Sequence, residues 1–221
     1  MLLDLDGTLV DSGRLWHRAY RAWAASAGVH LPPDWWAEVV GASLPGSIRT
    51  LAPGHTDAEV ATDIEVVVTE AAAALSAEPA GTAALVTWRP GARELLAALD
   101  AAGVATAVVT TTPRLVLDAV DERLGLDVLV TVAGDEVARG KPDPEGYLQA
   151  AAAIEVDPDD CVVIEDSPTG VAAAEAARMR VLVVAGEAPV PAAPTRRRVR
   201  SLTGVDLGVL AALPPPGTLP A

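Results

Sequence analysis

The sequence lacks the features of a secreted or membrane-bound protein. Its single cysteine, Cys161, has no partner for an internal disulfide, which fits a reducing compartment. Its hydrophobic stretches are short or interrupted by charge, and none reaches the roughly 20 apolar residues that span a bilayer. The N-terminus shows no basic start followed by an apolar core, so no signal peptide is visible. We therefore expect a cytoplasmic protein with no membrane partner.

Positive charge is also scarce. The chain has 16 lysines and arginines against 30 aspartates and glutamates, which gives a formal net charge of −14 at pH 7. This balance argues against a general binder of nucleic acid or of anionic membranes. An acidic protein that binds an anion needs a metal ion or local cationic side chains at the binding site.

Hydrophobic strands alternate with helices over most of the chain, whose 221 residues allow one large domain or a domain with a smaller insertion. The segments "VATAVVT", "DVLVTVA", "CVVIED" and "VLVVAG" are typical of strands, and segments typical of helices, such as "PRLVLDAVDERLG", lie between them. Strands rich in Val, Ile and Leu that are separated by single helices indicate a parallel sheet covered on both faces. We therefore predict an α/β fold with a Rossmann-like, three-layer core.

One helical stretch interrupts this alternation after a first strand at residues 2–5. The pattern is helical from Leu15 to about Leu75. Thr56 and Glu59 form a capping box at the start of a long segment whose valine-rich middle is also compatible with a strand. The capping box and the alanine run that follows favour a helix. We therefore predict an α-helical cap domain inserted into the core.

The predicted domain organisation follows from this interruption. The α/β core takes residues 1–12 and 88–205, the helical cap takes residues 13–87, and a flexible C-terminal tail takes residues 206–221. The basic run "TRRRVR" at residues 195–200 is interpreted as a solvated surface segment.

Polar side chains stand where the predicted strands end. In a parallel sheet of this kind, ligands bind beyond the carboxyl ends of the strands. The residues at these positions carry carboxylates, hydroxyls and one ammonium group: Asp4, Asp6, Thr110, Thr111, Thr112, Lys141, Glu165 and Asp166. Hard cations such as Mg²⁺ take oxygen ligands, so these carboxylates are suited to a metal site. Carboxylates after strands also cap helices, and Glu165 with Asp166 could instead cap the following helix through Ser167.

This set of groups points to a phosphate and a divalent cation. The metal would relieve the repulsion between Asp4 and Asp166, and Lys141 supplies local positive charge. Thr110 lies just before a predicted helix, whose free backbone N–H groups and dipole favour a phosphate oxygen. Of Asp4 and Asp6, one can attack phosphorus to form an aspartyl-phosphate, and the other can give a proton to the leaving oxygen.

Four segments resemble, in order and spacing, the four motifs of the haloacid dehalogenase superfamily: "DLDGTLVDS", "VVTTTP", "GKPDPEGY" and "VIEDSPTGVAAAEAA". The chain looks most similar to the branch with a small helical cap, which includes phosphoglycolate phosphatase and β-phosphoglucomutase. The resemblance implies that Asp4 is the nucleophile and Asp6 the general acid/base. It also implies that Thr110 and Lys141 hold the phosphoryl group.

The same resemblance implies a Mg²⁺ site. Asp4 and Asp166 would bind the ion together with Asp6, through the backbone carbonyl of that residue. Glu165 would be a further ligand or a partner of the ligands. The implied activity is Mg²⁺-dependent hydrolysis of a small phosphomonoester, such as a sugar phosphate or a similar metabolite.

Two positions separate the activities found in this superfamily. Asp6 favours phosphoryl transfer over dehalogenation, because a halide leaves without a proton. In "GASLPGSIR", Leu44 stands where β-phosphoglucomutase carries an arginine that grips a second phosphate, which favours a phosphatase. Arg49, one turn later, could partly substitute for that arginine, so a phosphomutase remains the alternative.

The substrate is expected to contact Thr111, Ser43 and Trp16 in addition to Thr110 and Lys141. Trp16 follows the first motif closely and stands where relatives are expected to carry a histidine. The expected partner is a small phosphorylated metabolite, with no nucleic acid and no membrane. We expect a monomer or a homodimer.

Overall fold

The computed structural model describes residues 1–78 and 84–215. Eight strands lie within these ranges: β1 (Leu2–Leu3), β2 (Val10–Asp11), β3 (Thr87–Trp88), β4 (Ala107–Val109), β5 (Val130–Val132), β6 (Val162–Glu165), β7 (Arg180–Val184) and β8 (Arg196–Val199). Six of them form one sheet in the order β5-β4-β1-β6-β7-β8, and every neighbouring pair is parallel.

The same ranges contain nine α-helices: α1 (Gly13–Ala27), α2 (Trp35–Val39), α3 (Leu44–Leu51), α4 (Asp57–Ala77), α5 (Ala92–Ala101), α6 (Arg114–Leu124), α7 (Glu145–Ala153), α8 (Pro168–Ala176) and α9 (Leu207–Ala211). In the described part of the chain, no helix is both long and apolar enough to cross a membrane.

Each face of the sheet contacts its own set of buried side chains. Leu3 and Ile164 belong to a cluster that also includes buried residues of α1, α4, α5 and α6. Leu2 and Val163, the preceding residues of the same strands, belong to a second cluster with α7 and α8. Because successive side chains of a strand point to opposite faces, both faces are covered by helices. The predicted α/β fold with a three-layer parallel core is confirmed.

Helices α1 to α4 follow one another between β2 and β3, so the predicted helical insertion is present. The capping box begins α4 as predicted: Thr56 Oγ1 accepts from the Glu59 N–H at 3.3 Å, and Glu59 Oε2 accepts from the Thr56 N–H at 2.8 Å. The valine-rich segment that follows is helical, with Val60, Val67 and Leu75 buried. The separation of residues 13–87 as a cap domain remains a prediction.

A two-stranded antiparallel ribbon joins this insertion to the core. Val10 pairs with Trp88 and Asp11 pairs with Thr87. The N–H of Arg89 continues the contact by donating to the carbonyl oxygen of Leu9 at 2.8 Å. The ribbon was not predicted, and it brings the two ends of the insertion together at the end of the first motif.

The structure differs from the predictions at three segments. The first strand is Leu2–Leu3 and not residues 2–5, although the Asp4 N–H still donates to the carbonyl oxygen of Ile164 at 3.0 Å. The basic run, predicted to be a solvated segment, contains β8, which pairs with β7 at the edge of the sheet. Its backbone is therefore part of the core sheet, while the side chains of Arg197 and Arg198 are exposed.

The third difference concerns the predicted flexible tail from residue 206. Asp206 Oδ1 accepts from the Val209 N–H at 2.8 Å and begins α9. Leu210 and Leu213 are buried, so apolar contacts stabilise this segment against the core. The last part of the predicted tail, residues 216–221, lies outside the described residues.

Candidate active site

The candidate site forms where three neighbouring strands end. β4, β1 and β6 lie side by side in the sheet. Thr110 follows β4, Asp4 follows β1, and Glu165 with Asp166 stand at the end of β6. Lys141 reaches the same edge from the segment before α7. The topology therefore brings together residues that are far apart in the sequence.

Three acceptors surround the ammonium group of Lys141. Its Nζ donates to Asp4 Oδ1 at 2.6 Å, to Glu165 Oε1 at 2.7 Å and to the carbonyl oxygen of Val109 at 2.9 Å. All three charged side chains are buried. The three N–H bonds of the ammonium group are therefore all used, and the two carboxylates share one cation.

Glu165 is held by donors on both of its oxygens. Oε1 accepts from the Tyr147 hydroxyl at 3.0 Å as well as from Lys141. Oε2 accepts from the N–H of Asp166 at 2.9 Å and from the N–H and hydroxyl of Ser167, both at 3.0 Å. A Cβ at Gly170 would overlap the Glu165 carboxylate, so glycine is needed at that position. These contacts fix the Glu165 carboxylate, which in turn holds the ammonium group of Lys141 in place.

The site carries more negative charge than Lys141 balances. Burial and then the nearby Glu165 raise the pKa of Asp4 well above its ordinary value. The same two causes raise the pKa of Asp166 to about 7. Burial by itself would lower the pKa of Lys141, but the charges of Asp4 and Glu165 outweigh it and raise that pKa well above the usual range.

A divalent cation fits this arrangement. Asp4, Glu165 and Asp166 each offer an oxygen, and these three atoms lie within 4.8 Å of one another. The Glu165 oxygens already accept hydrogen bonds, whereas no donor within residues 1–78 and 84–215 bonds to Oδ2 of Asp4 or of Asp166. Free carboxylate oxygens from two residues are suited to Mg²⁺, which keeps several waters of its own.

The side chain of Asp6, predicted with the metal ligands, lies in a different environment. Its Oδ1 accepts from the Ser12 hydroxyl and from Trp16 Nε1, the latter at 3.0 Å. Its Oδ2 accepts from the hydroxyls of Thr110 at 3.2 Å and Thr112 at 2.6 Å. The Asp6 carboxylate is therefore not part of the three-carboxylate cluster, and only the backbone carbonyl of this residue is left for the predicted metal contact.

The predicted substrate contacts are divided between two adjoining cavities, of about 140 and 390 Å³. Trp16 lines the smaller cavity, together with Asp4 and Asp6. Ser43 lines the larger cavity, but its hydroxyl accepts from the Gly46 N–H at 3.3 Å and begins α3. Thr111 and Lys141 line both cavities, as does Leu44. Thr110 lines the larger cavity, while its hydroxyl donates to Asp6.

Several residues of the site were missed or assigned no role from the sequence. Thr112 and Ser12 bond to Asp6, and Tyr147 bonds to Glu165. All three stand inside the quoted motifs, so the motifs contained a signal for them. Arg89 and Glu187 also line the smaller cavity, and no motif marks either.

The fold and the site define a class of hydrolase. A family model described as haloacid dehalogenase-like hydrolase matches residues 1–178, and the chain belongs to this family. Among solved structures, CbbY from Rhodobacter sphaeroides in complex with phosphate superposes with a TM-score of 0.81 at 26% identity, over 95% of this chain and 97% of that chain.

Two relatives carry more specific names. Hexitol phosphatase A from Escherichia coli (strain K12) is 36% identical over 191 residues, which cover 86% of this chain and 84% of that protein. Validoxylamine A 7'-phosphate phosphatase from Streptomyces hygroscopicus subsp. limoneus is 37% identical over 187 residues, which cover 80% of each.

Proposed function

We propose that this hydrolase is a Mg²⁺-dependent phosphatase that releases phosphate from a small phosphomonoester, a sugar phosphate or a similar metabolite. The observation that carries the proposal is the contrast between two aspartates on one cavity. Asp4 lies in a carboxylate cluster beside Lys141, and Asp6 is held by four neutral donors. Two carboxyl groups in such different environments are suited to two different steps. The names of both relatives as phosphatases support the same activity.

Asp4 is the proposed nucleophile. Lys141 fixes one of its oxygens, and the other faces no donor in the described part of the chain. In the first step one of these two oxygens bonds to phosphorus as the bond from phosphorus to the leaving oxygen breaks, which gives an aspartyl-phosphate, while the other oxygen would be left as a ligand for Mg²⁺. Water then attacks this intermediate, releases phosphate and regenerates Asp4.

Asp6 is the proposed acid and base. Its protonated form gives a proton to the leaving oxygen in the first step, and its carboxylate accepts a proton from water in the second. The hydrogen bonds from Ser12, Trp16, Thr110 and Thr112 hold the carboxyl group in one orientation. Because the carboxyl group is already oriented, it does not have to reorganise before it transfers a proton.

The phosphoryl group would be held at the ends of β1 and β4. Lys141 supplies positive charge, and no acceptor within the described residues bonds to the N–H of Thr111. Asp4, Asp166 and the carbonyl oxygen of Asp6 would hold Mg²⁺, with Glu165 fixing Lys141 beside them. When bound, Mg²⁺ supplies positive charge that neutralises phosphate oxygens and keeps the neighbouring carboxylates ionised.

The alternative of a phosphomutase is not favoured. Arg49, the residue offered as a substitute for the missing cap arginine, bonds to Asp57 at 2.8 Å, and both side chains are mostly exposed. Arg49 lines neither of the two cavities, and Leu44 lines both. Among the described residues of the insertion, no cation lines either cavity, so a second phosphate group would lack a charged partner there.

The test is phosphate release from p-nitrophenyl phosphate and a panel of sugar phosphates, with Mg²⁺ and with EDTA. Asp4→Asn should abolish turnover, and Asp6→Asn should lower it by about a hundredfold or more. Asp100→Asn, at an exposed position of α5, makes the same chemical change away from the cavities and should leave the rates unchanged. Folded wild-type protein that releases phosphate from none of these esters would overturn the proposal.

A further inference from the structure

The wall of the smaller cavity carries an acidic residue that the proposed chemistry does not use. This residue is Glu187, which stands three residues after the end of β7 at Val184. The preceding residue, Gly186, passes so close to Asp166 that a Cβ there would overlap its carboxylate. Glu187 is therefore one residue from a backbone position that closely approaches Asp166, a proposed metal ligand.

Glu187 is exposed, and one hydrogen bond holds its carboxylate. Trp36 Nε1, from α2 of the insertion, donates to Glu187 Oε2 at 2.6 Å. On the other side, a Cβ placed on Gly13 would lie 3.3 Å from Glu187 Oε1. The carboxylate thus stands between the start of α1 and the indole of Trp36, and it bridges the core and the helical insertion.

Carboxylates outnumber cations on the wall of this cavity. Of the described residues that line the cavity, Arg89 and Lys141 are the cations. Lys141 donates hydrogen bonds to the carboxylates of Asp4 and Glu165, and Arg89 Nη2 donates to the carbonyl oxygen of Ala185 at 2.6 Å. The lining residues that α1 to α3 contribute carry no charged side chain. A second anionic group on the substrate would therefore meet Glu187 in a cavity whose carboxylates outnumber its cations.

The remaining lining groups suit a neutral, hydroxylated molecule. Trp16 and Trp36 offer aromatic surface, and Tyr20 and Ser47 contribute hydroxyl-bearing side chains. Aromatic surface packs against the C–H faces of carbohydrates, while a carboxylate accepts hydrogen bonds from their hydroxyls. We propose that Glu187 is a specificity residue that accepts hydrogen bonds from a neutral polyol or sugar leaving group and repels leaving groups that carry an anion. This proposal rests on the phosphatase function proposed above.

The test uses pairs of substrates that differ by one charged group. Sorbitol 6-phosphate and 6-phosphogluconate share a six-carbon chain, but the second has a carboxylate in place of a terminal CH₂OH. Glycerol 3-phosphate and 3-phosphoglycerate form a smaller pair of the same kind. In the wild type, kcat/KM should be about tenfold or more higher for the neutral member of each pair, because like charges placed together disfavour the anionic one.

Substitutions at Glu187 should change that ratio. Glu187→Gln keeps the shape and should narrow the ratio by about tenfold, chiefly by raising kcat/KM for the anionic member. Glu187→Arg should reverse the preference. Glu94→Gln makes the same change in net charge on α5, outside both cavities, and should leave the ratio at the wild-type value.

The outcomes separate this proposal from the one on which it rests. An unchanged ratio in both Glu187 variants, with the wild type active on phosphoesters, would overturn the role of Glu187 and leave the phosphatase function standing. Absence of phosphate release by the wild type from p-nitrophenyl phosphate and from every ester tested would overturn both.

Discussion

The indole Nε1 of Trp16 donates a hydrogen bond to Oδ1 of Asp6 at 3.0 Å. Trp16 belongs to α1 of the helical insertion, whereas Asp6 follows the first strand of the core. Asp6, the residue proposed to move the proton, is therefore held partly by a helix of the insertion that also lines the smaller cavity. Its other donors come from Ser12 and from the end of β4.

Replacing Trp16 by Phe should lower kcat/KM by about tenfold, because one hydrogen bond to a charged group is lost while an aromatic ring is retained. The loss should fall mainly on kcat and should be accompanied by a changed pH–rate profile, since the hydrogen bond acts on Asp6. Steady-state kinetics between pH 5 and 9 measure both effects. Trp88→Phe, in the ribbon and outside both cavities, is the matched control. Equal profiles for Trp16→Phe and the wild type would contradict the positioning role.

Replacing Lys141 by Met should destabilise the protein by about 3–5 kcal/mol at pH 8, because Asp4 and Glu165 would remain buried without their shared cation. The destabilisation should be smaller at pH 5, where protonation can neutralise these carboxylates. Urea unfolding at the two pH values measures the difference. A loss of the same size at both pH values would indicate that packing of the lysine stem, and not its charge, is responsible.

The metal-free protein should become less stable as the pH rises from about 4 toward 7 and remain so above it. The pKa of Asp166 is raised in the folded state to about 7 from an ordinary value of 3.8, so the folded protein binds more protons than the unfolded chain between these values. Stability therefore falls with pH across this window. Thermal melting in EDTA at several pH values measures the slope, and Asp166→Asn should flatten it.

Added Mg²⁺ should reverse this loss most strongly at pH 8, where the carboxylates are ionised. Binding to the folded state alone adds about 2.7 kcal/mol when the ion is at a hundred times its Kd. Asp166→Asn should show a much smaller gain. A gain of wild-type size in that variant would contradict the proposed ligand set.

Adding one methyl group at Gly186 should disturb the proposed metal site. A Cβ at this position would overlap the Asp166 carboxylate, whereas no atom lies within 4 Å of a Cβ built on Gly54. Gly186→Ala should weaken the apparent affinity for Mg²⁺ by about tenfold or more, as displacement of groups around metal ligands commonly does. Gly54→Ala should behave as the wild type. Titration of activity against Mg²⁺ compares the two, with a melting curve to show that each variant is folded.

The core strands and their connecting helices could be predicted because each of these segments strongly favours one type of secondary structure. The segment "CVVIED" is nearly continuous in apolar residues until the carboxylates that end it, and β6 occupies Val162–Glu165. The position of the site followed from the rule that strands of a parallel sheet end at the same edge. Lys141 had a further signal that was not used, since it is the only lysine in the chain.

The missed elements depend on contacts that no local pattern records. β2 and β3 have two residues each, too few to show a period, and their pairing depends on how the insertion returns to the core. β8 is rich in arginine, and charged side chains suit an edge strand. Arg196 bonds to Glu175 at 2.6 Å, and Arg197 and Arg198 are exposed. Glu187 joins the cavity only through the fold, far from any motif.

The β2–β3 ribbon has a consequence for how such proteins acquire new substrates. The helical insertion leaves and re-enters the core at two paired dipeptides, so we expect that an insertion from a homologue could be joined at this one junction without altering the central sheet. Ser12 and Trp16 lie on the exchanged side of that junction, yet both bond to Asp6. A new insertion would therefore also change the hydrogen bonds that hold Asp6, and a designed chimera needs a first helix that preserves them.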